Sequence, residues 1–496
     1  MTYRAFASND ANAFFMGWTG AEPKPTGNPQ VPCYTRHINT QGISSMKYAN
    51  MIPALLLAWS ASTSVAQWDP NNGDWGKENS RDIRVMTWNV QDGICRTNQK
   101  SDSFNNWNGI VRIVASLQPD VLILQECADN SGNGTGSGAD SVAQLNDVAN
   151  MFVNGGPDIY LGGSVGSYLK LFVPSYDLPY VYSSTNSDGF NRNLILSRFP
   201  IEDINNGGGA AISNFVLIPD AYQSGGSGGI RGFQFAEINL PDAEYAGDMV
   251  IGNAHLKAGG SSSDYAQRET ASFNTSYYID YYYNGAGTGM SDPNLKIVVP
   301  NAGDMLDEFT PVIWGGDLNE NPTSSSPNSI QTRAEFFGGS DGTDRDRTDS
   351  MFSSPSQPIS GETSTQGSSS RLDFICWQDS IIDVRRQFIF RSTGSGMSTS
   401  KLPEPARSYP INPNAISGLA SDHRPVIVDF IMPAPASDPC PAPPDYVDDN
   451  LLNFFDVSAF LGLFAAGDLA ADVNGDGELN FFDVSGFLGA FTAGCP

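Results

Sequence analysis

From residue 81 to 432 the chain passes again and again through short apolar runs, and most of these runs end on a residue able to do chemistry. The runs cover residues 83–90, 120–125, 193–197, 233–240, 249–256, 311–315, 372–377 and 425–431. Several are apolar without alternation, as strands are when both faces of their sheet are covered. One sheet with a wet face cannot satisfy that pattern, so the chain needs stacked layers. A helix separates the first two strands: Trp107, Ile110, Val111, Val114 and Leu117 share one face, and Pro119 closes it. A second helix is predicted over 266–278, and the Gly/Ser/Asn-rich stretches 130–140, 205–229 and 352–370 read as surface loops. The expectation is an α/β domain over 81–432.

The formal charge of −27 excludes the broad basic surface of a nonspecific nucleic-acid binder. It permits an enzyme that meets phosphate through a divalent cation, because the ion reverses the local sign. The strand ends carry suitable groups. They place Asn89, Glu126, His255, Asp317, Asn319, Asp373 and the pair Asp422-His423 at successive run termini. Carboxylate oxygens suit a hard cation, and a phosphodiester transition state needs a metal, an activated water and donors for its oxygens. The chain holds three histidines, and the two beyond the N-terminal region, His255 and His423, both stand in these strings.

Read in order, TWNV, PDVLILQE, NLILSRFPI, NAHLKAG, GGDLN, RLDF and SDHRPV resemble the endonuclease/exonuclease/phosphatase superfamily over residues 81–431. That resemblance implies a four-layered α/β sandwich, two mixed β-sheets flanked by helices, and a hydrolase dependent on Mg²⁺ or Mn²⁺. It implies that Glu126 is the principal metal ligand, with Asn89 beside it toward the phosphate and Asp422 near the metal. Asp317 would orient or deprotonate the attacking water and Asn319 would hold a phosphate oxygen. His423 would act as base or phosphate donor with its tautomer fixed by Asp373, and His255 would face the phosphate from the other side. Arg192 would contact phosphate. Where the exonuclease branch carries Asp two residues after the Asn, this chain has Gln91 followed by Asp92.

A Pro-rich spacer at 433–444 precedes a repeat: LNFFDVSAFLGLF (452–464) returns as LNFFDVSGFLGAF (479–491). Ahead of the second copy, Asp472, Asn474, Asp476, Asn480 and Asp483 fall at the oxygen-ligand positions of a calcium loop. Gly477 stands at its sharp turn, and Glu478 would offer its carbonyl. The first copy keeps Asp445, Asp449, Asn453 and Asp456 but has Val447 and Asn450 where a ligand and the glycine would stand. Residues 445–496 resemble a type I dockerin, which implies a small all-α Ca²⁺-binding domain with a cohesin-like or cell-surface partner.

Cys440 and Cys495 bracket this tail as a candidate disulfide; Cys95 and Cys127 are candidates for a second pair, which leaves Cys376 as a buried thiol. Residues 46–66 have the basic, apolar and small-residue layout of a secretory signal ending at Ala66, so residues 1–45 read as an over-extended start. The apolar run is shorter than the roughly 20 residues of a membrane span. The combined expectation is a secreted phosphodiesterase acting on DNA or RNA. A sphingomyelinase-type phospholipase or phosphomonoesterase is the alternative enzyme; Tyr277, Tyr278, Tyr281, Tyr282 and Tyr283 would form its lipid-facing rim, although helix packing is the favoured reading of this group. An inactive scaffold docked through its tail is the alternative of another kind.

Overall fold

The computed structural model describes residues 68–95, 99–127, 141–184, 191–202, 212–215, 231–268, 309–321, 350–379, 381–435, 444–447 and 452–493. The signal-like segment, residues 1–45, Cys440, Cys495 and the tyrosine group lie outside them, as do Asp449, Asn450 and most of the predicted helix at 266–278. The described strands are β1 (Ile83–Asn89), β2 (Val121–Gln125), β3 (Tyr180–Ser183), β4 (Leu194–Ser197), β5 (Ile201–Glu202), β6 (Ile212–Phe215) and β7 (Arg231–Ile238). They continue with β8 (Met249–His255), β9 (Val312–Asp317), β10 (Ser350–Phe352), β11 (Asp373–Gln378), β12 (Asp383–Ile389) and β13 (Val426–Ile431). The helices include α1 (Asn106–Leu117), α2 (Val142–Asn154), α3 (Leu169–Phe172), α4 (Ile416–Ala420), α5 (Phe454–Ala466) and α6 (Phe481–Ala493), and residues 262–268 are helical as well.

Two mixed sheets result. One runs β12-β13-β1-β2-β4-β3; the other runs β10-β11-β9-β8-β7-β5, with β6 also paired to β7. In each sheet a parallel pair sits among antiparallel ones: β1 with β2, and β8 with β9. Side chains alternate between two cores. Val85, Val121, Ile123 and Ile195 point to one core, which also holds Ile251, Ile313 and Ile375 of the other sheet. Met86, Trp88, Leu122 and Leu124 point the other way, into a core shared with α1 and α2. This is why β1, β2, β8 and β9 are buried at every position.

Each helix has local causes. Asn105 caps α1 by accepting the Asn108 N–H, and Gln118 ends it in the left-handed conformation just before Pro119. Ser141 and Gln144 form a capping box on α2. In the tail, Asn453 caps α5 and pairs reciprocally with Asp456. Phe460 and Phe487, equivalent positions of the two repeats, stack with centroids 4.1 Å apart and planes 6° from parallel. Cys127 and Cys376 are buried free thiols, so the second disulfide does not form. Cys127 instead belongs to the apolar core beside α1 and α2.

One ion pair crosses the first sheet far from its polar end. Arg84 on β1 grips Asp429 on β13 through Nε and Nη2 at 2.6 and 2.8 Å, and its Nη1 donates to the carbonyls of Trp75 and Leu117. Both residues are shut from solvent. Asp429→Ala would strand a guanidinium in the interior and should lower unfolding free energy by about 3–5 kcal/mol. Denaturant titration checks this; a loss under about 1 kcal/mol, as at exposed pairs, contradicts it.

Candidate active site

The strand registers bring the predicted residues to one end of the sandwich. In the second sheet His255 lies opposite Asp317 across the parallel pair, and Asp373 lies opposite Asp317 across the antiparallel pair. Gly316 permits this. Its φ is +145°, and a Cβ there would stand 1.7 Å from the Ala254 carbonyl oxygen, so only glycine lets β8 and β9 approach beneath the two residues. In the first sheet Asn89 lies opposite Gln125, with Glu126 the next residue. Below the site the sheets are joined by amides: Gln125 Nε2 donates to Asn253 Oδ1 at 2.9 Å, and Asn253 Nδ2 donates to the Leu124 and Leu194 carbonyls.

Asp317 is the centre. Its Oδ2 accepts from Asn89 Nδ2 at 3.0 Å and lies 3.4 Å from His255 Nε2 and 3.7 Å from His423 Nε2. Its Oδ1 accepts the Asn319 backbone N–H at 2.9 Å. Glu126 Oε1 approaches the same His255 nitrogen at 3.7 Å from the more open side. Asp373 is fully buried and faces His423 Nδ1 with both oxygens, at 3.0 and 2.8 Å. Thr365 Oγ1 accepts the Asp373 N–H, and Ser421 Oγ ties the Asn89 carbonyl to the His423 N–H. Four non-glycine residues here, Gln91, Asp92, Glu126 and Asn319, have φ between 49° and 62°. Such strain collects where side chains must be aimed rather than packed.

The electrostatics divide the roles. Burial, then the charge of Asp373, push Asp317 up to about 7 against the pull of His423, Asn89 and the Asn319 N–H. Burial alone would lower His423, but Asp373 first, then Asp317 and Asp422, hold its pKa up at about 10. The imidazole is therefore a cation at neutral pH, with Nδ1 committed to Asp373 and Nε2 turned toward Asp317. Asp317, Asp373 and His423 each offer an atom within 4.8 Å of the others, as metal ligands would. The hydrogen bonds argue otherwise for two of them, since Asp373 and His423 already satisfy one another. Oxygen donors for a cation remain in Glu126, Asn89 and Asp317. The crowding that raises Asp317 is what a divalent ion would relieve, so the donor set fits one.

Not every predicted residue joins this cluster. Asp422 is half-buried; its carbonyl accepts from Gly367 N–H, and its charge acts on His423 and Arg424. Arg192 lies at the flank beyond Glu126, its carbonyl accepting the Cys127 N–H and its Nη1 donating to Ser184 O. Asn319 reaches back to the Leu256 carbonyl at 3.0 Å. Two buried residues escaped the sequence reading. Arg268 pairs with Glu320 at 2.7 Å and donates to the Lys257 and Gly259 carbonyls, fastening the loop after His255 to the loop after Asp317. The adjacency of Glu320 to the GDLN string was the available signal.

In the tail, the second loop is curled around its own oxygens. Asp472 accepts from the Gly475, Asp476 and Gly477 N–H groups, Asn474 from Asp476, and Asp476 from Glu478. Asp483 accepts from Val473, Asn474 and Asn480 N–H, while Asn480 accepts from Phe482 N–H. Asp456 repeats the pattern of Asp483 with Tyr446, Val447 and Asn453.

Two stacked mixed sheets with a His–Asp pair, carboxylates and amides at their strand ends define a hydrolase of the phosphate-ester type. The profile of the Endonuclease/Exonuclease/phosphatase family matches residues 86–423, more than half of the chain, and the chain belongs to that family. It is accordingly a hydrolase of phosphate esters, in a family whose enzymes typically depend on a divalent metal. No curated protein matches the sequence. Solved structures similar to it include an endonuclease/exonuclease/phosphatase from Beutenbergia cavernae DSM 12333, with 17% identity, 71% of this chain and 72% of that chain covered, and a TM-score of 0.39. The catalytic domain of human Nocturnin has 13% identity over 71% and 93% of the chains, with a TM-score of 0.38. A humanized TDP2 from D. rerio has 13% identity over 71% and 100%, with a TM-score of 0.38.

The imidazolium pair stabilises the metal-free protein fully below the unfolded histidine value of 6.5, and that contribution is lost as pH rises through about 10. Asp373→Asn should bring the His423 titration down from that value and move the loss of stability to lower pH. Imidazole NMR in chelator reads the titration directly; an unmoved His423 curve would show that Asp373 does not hold the charge.

Proposed function

We propose that the chain is a secreted, metal-dependent phosphodiesterase that hydrolyses extracellular DNA or RNA and is tethered through a calcium-binding, dockerin-like tail. The observation carrying the catalytic part is the convergence of Asn89, Glu126, His255, Asp317 and the Asp373–His423 pair on one strand-end cluster. Glu126, with Asn89 and Asp317 beside it, would hold a Mg²⁺ or Mn²⁺ ion. The bound cation supplies positive charge for a phosphate that the protein as a whole repels. Asp317, in its ionised form, takes the proton of the attacking water at Oδ2. His423 donates from Nε2 to a phosphoryl oxygen, held in place by Asp373. Asn319 and His255 flank the same position as donors, and Arg192 stands at the rim.

With Mg²⁺, the purified protein should cut plasmid DNA or RNA, and chelation should abolish the activity. Glu126→Ala should recover partly as metal is raised. His423→Ala should not recover, and its loss should be about 10²–10⁴-fold. Hydrolysis of sphingomyelin or phosphomonoesters with nucleic acid left intact would move the assignment to another branch of the family.

The tail reading rests on the 27-residue repeat and on the oxygen-lined turn at 472–483. Asp472, Asn474, Asp476, Asn480 and Asp483, with the Glu478 carbonyl, would ligate Ca²⁺, and a cohesin-like or cell-surface receptor would be its partner. Calorimetry of the whole protein should show calcium binding that Asp472→Ala removes, and titrations identical for both proteins would refute it. The intact mass of the exported protein should fit a chain that starts at Gln67 with Cys440 and Cys495 joined, whereas a mass including residues 1–45 or both free thiols would not.

A further inference from the structure

Beside the catalytic histidine stands an arginine whose donors are only half used. Arg424 follows His423 directly and folds its Nη1 onto the Ser421 and His423 carbonyls at 2.9 and 3.0 Å. Its Nε and Nη2 have no acceptor among the described residues, and Nε is almost closed to water. These two nitrogens form the planar edge on which a guanidinium takes a phosphate in two parallel hydrogen bonds. A guanidinium nitrogen left without an acceptor is costly where water scarcely reaches it, as at Nε.

A second guanidinium adds to the charge. Phe390 N–H donates to the Pro425 carbonyl, which brings Arg391, just beyond β12, close to Arg424. Burial and Arg391 both hold Arg424 below the ordinary arginine value. Arg391 is fixed by Glu362 at 3.0 Å, Ser364 Oγ and Thr393 Oγ1. Glu362 is the carboxylate bonded within the pair, and Asp422 and Asp373 act on Arg424 only through space. In a chain of net charge −27, two neighbouring arginines at the catalytic end of the sandwich run against the overall trend.

We infer that Arg424, supported by Arg391, is the subsite for the phosphate next to the one being cleaved, so that the enzyme reads a polyphosphodiester rather than an isolated phosphate. This rests on the nucleic-acid reading above and specifies where the polymer's backbone lies. The subsite is on the His423 flank, toward the β12 edge of the first sheet, across the site from Arg192.

The test compares a single-stranded oligonucleotide with bis(4-nitrophenyl) phosphate, which has one diester and no neighbouring phosphate, using the whole protein with Mg²⁺. Arg424→Gln keeps an amide for the two carbonyls but loses the charged edge. The ratio of kcat/KM between oligonucleotide and small diester should fall about tenfold or more, the size expected for a hydrogen bond to a charged group. The change should lie in KM, and the salt dependence of log kcat/KM on the oligonucleotide should become shallower by about one. Arg424→Lys should restore part of the ratio, and Arg391→Gln should lower it less. An unchanged ratio, whether both substrates suffer equally or neither does, overturns the subsite and leaves Arg424 as a brace for the 421–423 backbone. If Arg424→Gln fails to fold, the Arg424→Lys and Arg391→Gln ratios decide in the same way. A wild-type protein that cleaves the small diester but no oligonucleotide instead overturns the nucleic-acid reading itself.

Discussion

The site depends on two parallel strand pairs facing one another across the inter-sheet core. A parallel pair puts its C-terminal ends side by side, so β1 with β2 delivers Asn89 beside Gln125 and Glu126, and β8 with β9 delivers His255 beside Asp317. Stacking alone would leave these two edges free to slide. The amides of Asn253 and Gln125 remove that freedom, because each buried donor there is satisfied only at one alignment of the sheets. Apolar packing of Val85, Ile123, Ile251 and Ile313 supplies attraction without register. The polar contacts supply register, and they sit one or two residues below the reacting groups.

Much of this was legible because the strands that matter most are the ones buried on both faces. Mainly apolar runs mark β1, β2, β8, β9, β11 and β13, and the site residues stand at or near the ends of the same strands. β12 and α2, two of the elements the sequence reading passed over, each have a wet side. β12 carries Asp383, Arg385 and Arg386 and is mostly half-buried, and its charges are used up in pairs with Glu78 and Asp82. α2 is polar on its outer face, and its stripe of Leu145, Val148, Ala149 and Phe152 was passed over directly behind the Gly/Ser-rich stretch. The Asp373–His423 contact spans 50 residues and was expected from the family resemblance, whereas the Asn253–Gln125 bond spans 128 and had no signal at all. A buried amide looks like any other polar residue until its partner is known.

Local rules fail where the chemistry is. Gln91, Asp92, Glu126 and Asn319 all adopt backbone angles that non-glycine residues avoid, and all four lie within three residues of a strand end. The turn made by Gln91 and Asp92 sends the Asp92 N–H to the Glu126 carbonyl, while Asp92 also holds Asn191 next to Arg192. The departure at Gln91 is therefore absorbed by a turn whose carboxylate braces the far rim of the site rather than facing Asp317.

The charges form one coupled system rather than a set of separate residues. Asp317 is raised by burial first and then by the charge of Asp373, and His423 is raised against its burial because both carboxylates face it. Adding a divalent cation at Glu126, Asn89 and Asp317 would stabilise the Asp317 anion and weaken its hold on His423 in the same stroke. The ion and the imidazolium would thus compete for one carboxylate while both favour the incoming phosphate. A phosphate placed between them would satisfy both, accepting a hydrogen bond from His423 while meeting the charge of the metal. On that reading the site would be least favourable when empty and ionised, and substrate with its cation would relieve the crowding of carboxylates.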